Sequence, residues 1–294
     1  MSELTTKIET AVKLLRFWCR ESQWKTYFLP GMVPDLTPQL CFSGGKDSVL
    51  IRFLCDKAGI KYRAVYSVTT IDPPPLVRFI KQKYPDVEFS HSGTNFFHEL
   101  VKKGFPTRQR RWCCELFKEN TGDSLIKIIG VRAAESARRA KQWRSMTQSW
   151  KRQQVFLCPA LNFSDAEVWQ VIKAEGLPYC ELYDCGFRRL GCIACPMAGA
   201  ECRKRELSMF PGFERLYRRA FFRLWEKRAG TVSTLTKKEW FGSRKFRNSD
   251  ELFEWWLLDI SSPADLERTG FGVEDLEGDG ELLNFADSCD MGMF

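Results

Sequence analysis

The chain has 294 residues, with 45 lysines and arginines against 37 aspartates and glutamates, and twelve cysteines. At 44% hydrophobic and 14% aromatic it can bury a sizeable core, as one large domain or two modest ones. No apolar run reaches the ~20 residues needed to span a bilayer, and twelve unevenly spread cysteines do not suit a small secreted disulfide scaffold.

The amino terminus, Met1-Ser2-Glu3-Leu4, lacks the basic start and apolar stretch of a secretory signal, so the expected compartment is the cytoplasm, with no membrane partner. There, cysteine enrichment points to metal binding or catalysis. Charge is unevenly placed. Residues 263–294 hold nine acids and one base, a net −8, so residues 1–262 carry +16. A basic body suits phosphate-bearing partners, either nucleotides or nucleic acid, and the acidic tail reads as a solvated extension.

Ile8, Ala11, Val12, Leu15 and Trp18 fall at helical spacing, so residues 6–19 are predicted to form a packing helix within an N-terminal segment, 1–36. Strands and helices then alternate through 37–199. Leu40–Phe42 reads as the first strand, and a helix follows to about Lys57. Between them lies Ser43-Gly44-Gly45-Lys46-Asp47-Ser48. A Ser/Gly-rich turn between strand and helix gathers backbone N–H groups and a helix N-terminus around one point, which attracts phosphate. Glycine lets the backbone approach the anion, Lys46 adds charge, and Ser43 and Ser48 can donate hydroxyl hydrogen bonds.

Tyr62–Val68 reads as the second strand, Leu76–Lys83 as a helix after the break at Asp72-Pro73-Pro74-Pro75, and Val87–Ser90 as the third strand. Helices are predicted over Asn95–Lys103 and Trp112–Asn120. Ile126–Val131 is the fourth strand and Val155–Pro159 a fifth, and Ser164 caps a helix to about Glu175 with Asp165 and Glu167 in its first turn. This alternation predicts an α/β fold: a twisted parallel sheet covered by helices on both faces, with its ligand outside the carboxyl ends of the strands. Beyond Gly199 the pattern turns purely helical. Glu201–Arg228 reads as one long basic, aromatic helix and Leu252–Ile260 as another, forming a helical appendage over 200–262.

Two cysteine groups stand out, Cys113-Cys114 and Cys192-Ile193-Ala194-Cys195. A C-x-x-C pair turns two thiolates toward one metal centre, and a second pair completes four sulfur ligands, suiting zinc or an iron–sulfur cluster. Side chains of adjacent cysteines diverge, which suits the spread corners of a cluster better than a single ion. Cys185 is a further candidate that could replace Cys113 or Cys114. Cys19, Cys41, Cys55, Cys158 and Cys180 read as buried structural thiols. Arg132, Arg138 and Arg139 follow the fourth strand, and Arg108, Arg110 and Arg111 precede the tandem cysteines, as a set suited to binding phosphate or sulfate. Lys141, Arg144, Lys151 and Arg152, interleaved with Trp143 and Trp150, read equally as a nucleic-acid contact or a surface loop.

Taken together, these motifs resemble the PP-loop ATP pyrophosphatase superfamily, in its phosphoadenylylsulfate (PAPS) reductase-like branch. The carrying residues are Ser43–Ser48, Thr69-Thr70-Ile71-Asp72-Pro73, Arg111-Trp112-Cys113-Cys114, Gly130-Val131-Arg132 with Glu135-Ser136, and Gly186–Cys192 with Cys195-Pro196. The resemblance implies an adenine nucleotide alpha hydrolase-like fold over 37–199. It implies nucleotide binding by Ser43, Gly44, Gly45, Lys46, Asp47, Ser48, Gly130 and Arg132, with Lys46, Asp47 and Arg132 in catalysis. It also implies a 4Fe-4S cluster on Cys113, Cys114, Cys192 and Cys195, as in adenylylsulfate reductases.

The complete loop with Lys46 is similar to that of members that cleave ATP, with Mg²⁺, to AMP and pyrophosphate, including tRNA thiolases and DNA phosphorothioation proteins. ATP-dependent sulfur transfer is therefore the leading expectation, with a nucleic acid as acceptor and a cysteine desulfurase as sulfur donor. The alternative is a sulfonucleotide reductase releasing sulfite, with Cys289 as nucleophile and thioredoxin as reductant. A third is a nucleotide- and cluster-binding component without turnover.

Overall fold

The computed structural model describes residues 2–20, 36–119, 121–122, 124–149, 154–230 and 248–258. They form two compact units, one containing 2–92 and 114–191 and the other 93–113 and the residues from 192 onward. Of the three points at which the described chain passes from one unit to the other, two fall at cysteine motifs, between Cys113 and Cys114 and between Gly191 and Cys192. The acidic tail, Cys289, Trp150, Lys151 and Arg152 lie outside the described residues.

The first unit is built on a six-stranded sheet of β1 (Gln39–Cys41), β2 (Arg63–Ser67), β3 (Glu88–Ser90), β4 (Ile126–Ile128), β5 (Met146–Ser149) and β6 (Gln154–Leu157), in the order β3-β2-β1-β4-β6-β5. All neighbours are parallel except β5, which runs antiparallel to β6. Leu40 at the centre pairs with Ala64 on one side and Ile128 on the other, and all three are buried. Central strands read as continuous apolar runs because both faces are covered. The expected α/β fold is thus found, with one strand more than the sequence suggests. β5, Met-Thr-Gln-Ser, has no apolar alternation and lies at the sheet edge. Trp143 beside it is partly buried, packs on the core and meets Phe156 edge-on at 5.8 Å.

Helices α1 (Glu3–Trp18), α2 (Lys46–Ala58) and α3 (Pro74–Lys83) belong to this unit, with α1 packed on α2. Gly59, left-handed at φ 65°, ends α2. The helix expected over 112–120 begins as a turn at Trp112–Cys114 and widens into a π-helical segment, Glu115–Glu119.

The second unit is helical: α4 (Phe96–Lys103), then α7 (Ala200–Met209), α8 (Pro211–Gly230) and α9 (Ser249–Leu258), with α5 (Ala137–Gln142) and α6 (Asp165–Ala174) belonging to the sheet unit. Residues 201–228, expected as one helix, are two. The chain breaks at Phe210, and Pro211, which has no N–H to donate, opens α8. The segment 93–113, which the sequence places among the sheet elements, groups with these helices. Its Phe96 stacks on Trp112 at 5.5 Å, Phe105 stacks on Phe221 at 5.7 Å, and Pro106 O accepts a 2.7 Å bond from the Trp256 indole.

Candidate active site

β1 delivers the chain to Phe42, and the loop 43–48 turns it into α2. Gly44 sits at φ 73°, where a side chain is rarely tolerated, and a Cβ there would lie 2.7 Å from Leu76 and 2.8 Å from Ile80. Its glycine is demanded twice, by conformation and by space. The Ser48 hydroxyl donates to Gly45 O at 2.8 Å, and Ser43 donates to Ser48 at 3.3 Å. The N–H of Lys46, first residue of α2, donates to the Tyr183 hydroxyl at 2.8 Å. Burial pushes the Tyr183 phenol well up, so it keeps its own proton.

Lys46 and Arg132 are both only 3% exposed. Their charges are met by two carboxylates. Arg132 Nε donates to Asp47 at 2.6 Å and its Nη2 to Asp165 at 2.9 Å, while Lys46 Nζ lies 3.1 Å from the same Asp165 oxygen and 3.5 Å from Asp47. Partial burial works against charge on Asp165, but Lys46 and Arg132 outweigh it and hold its pKa below the ordinary carboxylate value. Gly130 at the end of β4 passes close to Asp47, at 3.4 Å from an added Cβ. A second charged knot adjoins. Glu135 accepts from the Arg132 N–H at 3.1 Å, from Arg189 at 3.0 Å and from Arg139.

A cavity of about 140 Å³ opens at this loop, within the sheet unit. Phe42, Val65, Tyr66, Leu76, Ile129 and Phe156 give it an apolar wall, while Lys46, Lys118, Lys127 and Arg189 face Asp47, Asp72, Glu119 and Glu135. Lys127, buried on β4, donates to Gln39 at 2.7 Å. Asp72 accepts from Thr69 N–H at 2.8 Å, and between them Thr70 stands at φ 65°, an outlier for a β-branched residue. Cys41 also lines the cavity, and burial pushes its thiol up to about 11.

The phosphate-loop residues Ser43–Ser48, Gly130 and Arg132 are thus brought together. Asp165 and Tyr183 join them unannounced. The capping pattern Ser164-Asp165-Ala166-Glu167 is legible in the sequence, but nothing there places Asp165 against Lys46.

Among the cysteines, Cys113, Cys192 and Cys195 belong to the second unit and surround Tyr217. Burial first, and then the electrostatic influence of Cys192, Cys195 and Cys113, pushes the Tyr217 phenol far up. Its hydroxyl donates to Ile193 O at 2.9 Å, between the C-x-x-C pair, and Glu206 accepts the Ala194 N–H at 2.7 Å. Ala194 is left-handed at φ 54°, turning the chain between Cys192 and Cys195. Cys114 is buried and belongs to the sheet unit, as does the exposed Cys185. Burial pushes Cys19 and Cys158 up to about 12 and raises Cys55 and Cys180 as well, so these thiols stay protonated. Among the described residues, no three His, Cys, Asp or Glu side chains converge closely enough for a single metal ion.

The strand order and the glycine-rich loop after β1 define an α/β protein of the adenine nucleotide alpha hydrolase-like fold. More narrowly, the chain belongs to the phosphoadenosine phosphosulfate reductase domain family, whose model matches residues 37–198, more than half of the sequence. An uncharacterized protein of Methanocaldococcus jannaschii is 29% identical over 220 residues, covering 69% of this chain and 43% of that protein. Adenosine 5'-phosphosulfate reductase of Staphylococcus epidermidis is 29% identical over 129 residues, 42% of this chain and 50% of that enzyme. The chain therefore spans half or less of the length of these relatives.

Among solved structures, phosphoadenylyl-sulfate reductase from Candida auris, a phosphate complex, aligns with a TM-score of 0.42 at 17% identity over 65% of this chain and 96% of that one. The U34-tRNA thiolase NcsA from Methanococcus maripaludis, solved with its 4Fe-4S cluster, aligns with a TM-score of 0.39 at 13% identity over 79% and 82%. No helix among the described residues is long and apolar enough to cross a membrane.

Proposed function

We propose that this family member binds ATP at the 43–48 loop, cleaves it between the α- and β-phosphates, and uses the adenylate to transfer sulfur. The observation that carries the reading is the buried Lys46 ammonium at the N-terminus of α2, beside a cavity whose charged lining is balanced, four cations to four carboxylates. A balanced lining suits a triphosphate that arrives with Mg²⁺, for which Asp47 and Asp72 in the lining are candidate carboxylate ligands.

In this reading an oxygen of the acceptor attacks the α-phosphorus, the bond from that phosphorus to the bridging oxygen breaks, and pyrophosphate leaves with the electron pair. Lys46 and Arg132 stabilise the charge that builds on the phosphoryl oxygens. The loop N–H groups and Ser43 orient the chain of phosphates, and Tyr183 keeps a hydroxyl proton to donate. Cys113, Cys192 and Cys195, with Cys114 beside the first, would hold a 4Fe-4S cluster. Such a cluster, when bound, supplies iron sites that hold or deliver sulfur. The +16 carried by residues 1–262 makes a nucleic acid the acceptor class of choice.

The test is pyrophosphate release from ATP by wild type and Lys46→Ala. Release that falls by about a hundredfold or more in the variant supports the reading; no release by the wild type sinks it. The likeness to adenosine 5'-phosphosulfate reductase keeps a second reading in view. Sulfite released from adenylylsulfate, and lost in Cys289→Ser, would establish that reading instead.

A further inference from the structure

The geometry points to an internal competitor for the phosphate site: we propose that the Asp165 carboxylate, bridging Lys46 and Arg132, occupies an anion position beside the loop and must leave before a di- or triphosphate can bind. The inference rests on the nucleotide reading of the loop and specifies how that site is regulated.

The asymmetry of burial carries it. The side chains of Lys46 and Arg132 are each 4% exposed, so neither cation can turn to water for solvation. Each needs an anion at all times. The Asp165 side chain is 63% exposed and sits at the solvent side of both, 3.1 Å from Lys46 Nζ and 2.9 Å from Arg132 Nη2. Water already around it can take up its carboxylate once an incoming phosphate takes over the two cations.

The rest of the arrangement stays in place when it does. Arg132 keeps Asp47 at 2.6 Å and the Phe163 carbonyl at 3.3 Å. Without Asp165, the two cations face one carboxylate, and the loop carries a net positive charge that a phosphate can take up.

Asp165 is held at this position by its helix rather than by the loop. It is the first residue of α6, whose capping box pairs the Ser164 hydroxyl with the Glu167 N–H at 3.2 Å and Glu167 with the Ser164 N–H at 2.7 Å. Glu167 is also fastened to Lys7 of α1 at 2.8 Å. The cap survives removal of the Asp165 charge, so the residue can be changed without unravelling the helix that presents it.

The experiment measures binding of inorganic pyrophosphate to the full chain in EDTA, where no divalent cation can recruit the carboxylate as a ligand. Wild type, Asp165→Asn, Asp165→Ala and Lys46→Ala are compared, with thermal unfolding run on each. Both Asp165 variants are expected to bind about tenfold more tightly than wild type, and Lys46→Ala to lose binding. Unchanged or weaker binding by folded Asp165 variants, with Lys46→Ala still defective, overturns the competitor and leaves the phosphate site standing. Equal binding by wild type and Lys46→Ala, by contrast, removes the nucleotide reading itself and the competitor with it.

Discussion

At residues 43–48 the backbone does the positioning, whereas around residues 192–195 it is done by side chains from separate segments. The phosphate loop is shaped by Gly44 at φ 73°, by serine hydroxyls bonded within five residues of each other, and by the first turn of α2. The cysteine loop is fixed by Tyr217 from α8 and Glu206 from α7, which bond Ile193 and Ala194. A locally encoded site is intolerant of backbone change and is legible from a short motif. A site assembled from side chains should lose its pieces one at a time, and only its cysteine spacing shows in the sequence.

The sharpest way to break that contrast is Gly44→Ala. The added methyl meets Leu76 and Ile80 at under 3 Å and forces a left-handed residue. Strain and overpacking together should cost about 2–4 kcal/mol in urea unfolding and abolish ATP binding. A variant that folds and binds normally would mean that the loop is not backbone-encoded.

Next in size, Cys192→Ser and Cys195→Ser should each lose most of the iron and sulfide found after anaerobic purification, whereas Cys55→Ser and Cys158→Ser should retain it. Zinc in the wild type, or no metal, would overturn the cluster. Tyr217→Phe removes only the hydroxyl that donates to Ile193 and should cost about 1 kcal/mol of stability. A loss as large as that of Gly44→Ala would make the cysteine loop as unforgiving as the phosphate loop.

The smallest effect is a slope with pH. Burial pushes the Glu206 carboxyl from 4.5 up to about 7. Between those values the folded chain holds a proton that the unfolded chain has released, so stability falls as pH rises through that window. Glu206→Gln should flatten the decline, as followed by urea midpoints from pH 4.5 to 7.5. An unchanged slope would show that Glu206 titrates normally.

The sheet was largely legible because its central strands are short apolar runs between turn residues, as at Leu40 and Ile126. β5 was not, since Met-Thr-Gln-Ser offers no alternation and owes its pairing to β6. The single helix expected over 201–228 failed at Pro211, where the Phe210-Pro211-Gly212 break sits between two runs that each read as helix and a proline can open a new helix. At the site, the motif residues were readable, but Asp165 and Tyr183 were not. Tyr183 reaches Lys46 across 137 residues of sequence, a contact that only the folded sheet creates.

The two-cation bridge made by Asp165 also acts as a filter. A lone carboxylate or chloride offers Lys46 and Arg132 little that the resident carboxylate does not already provide, so the small monovalent anions of a cell gain almost nothing by entering. A polyphosphate brings several oxygens and more than one charge at once, and can outbid the occupant. Selectivity for the high-energy nucleotide over the surrounding salt would then come from one exposed aspartate, with no contact to the base or the sugar.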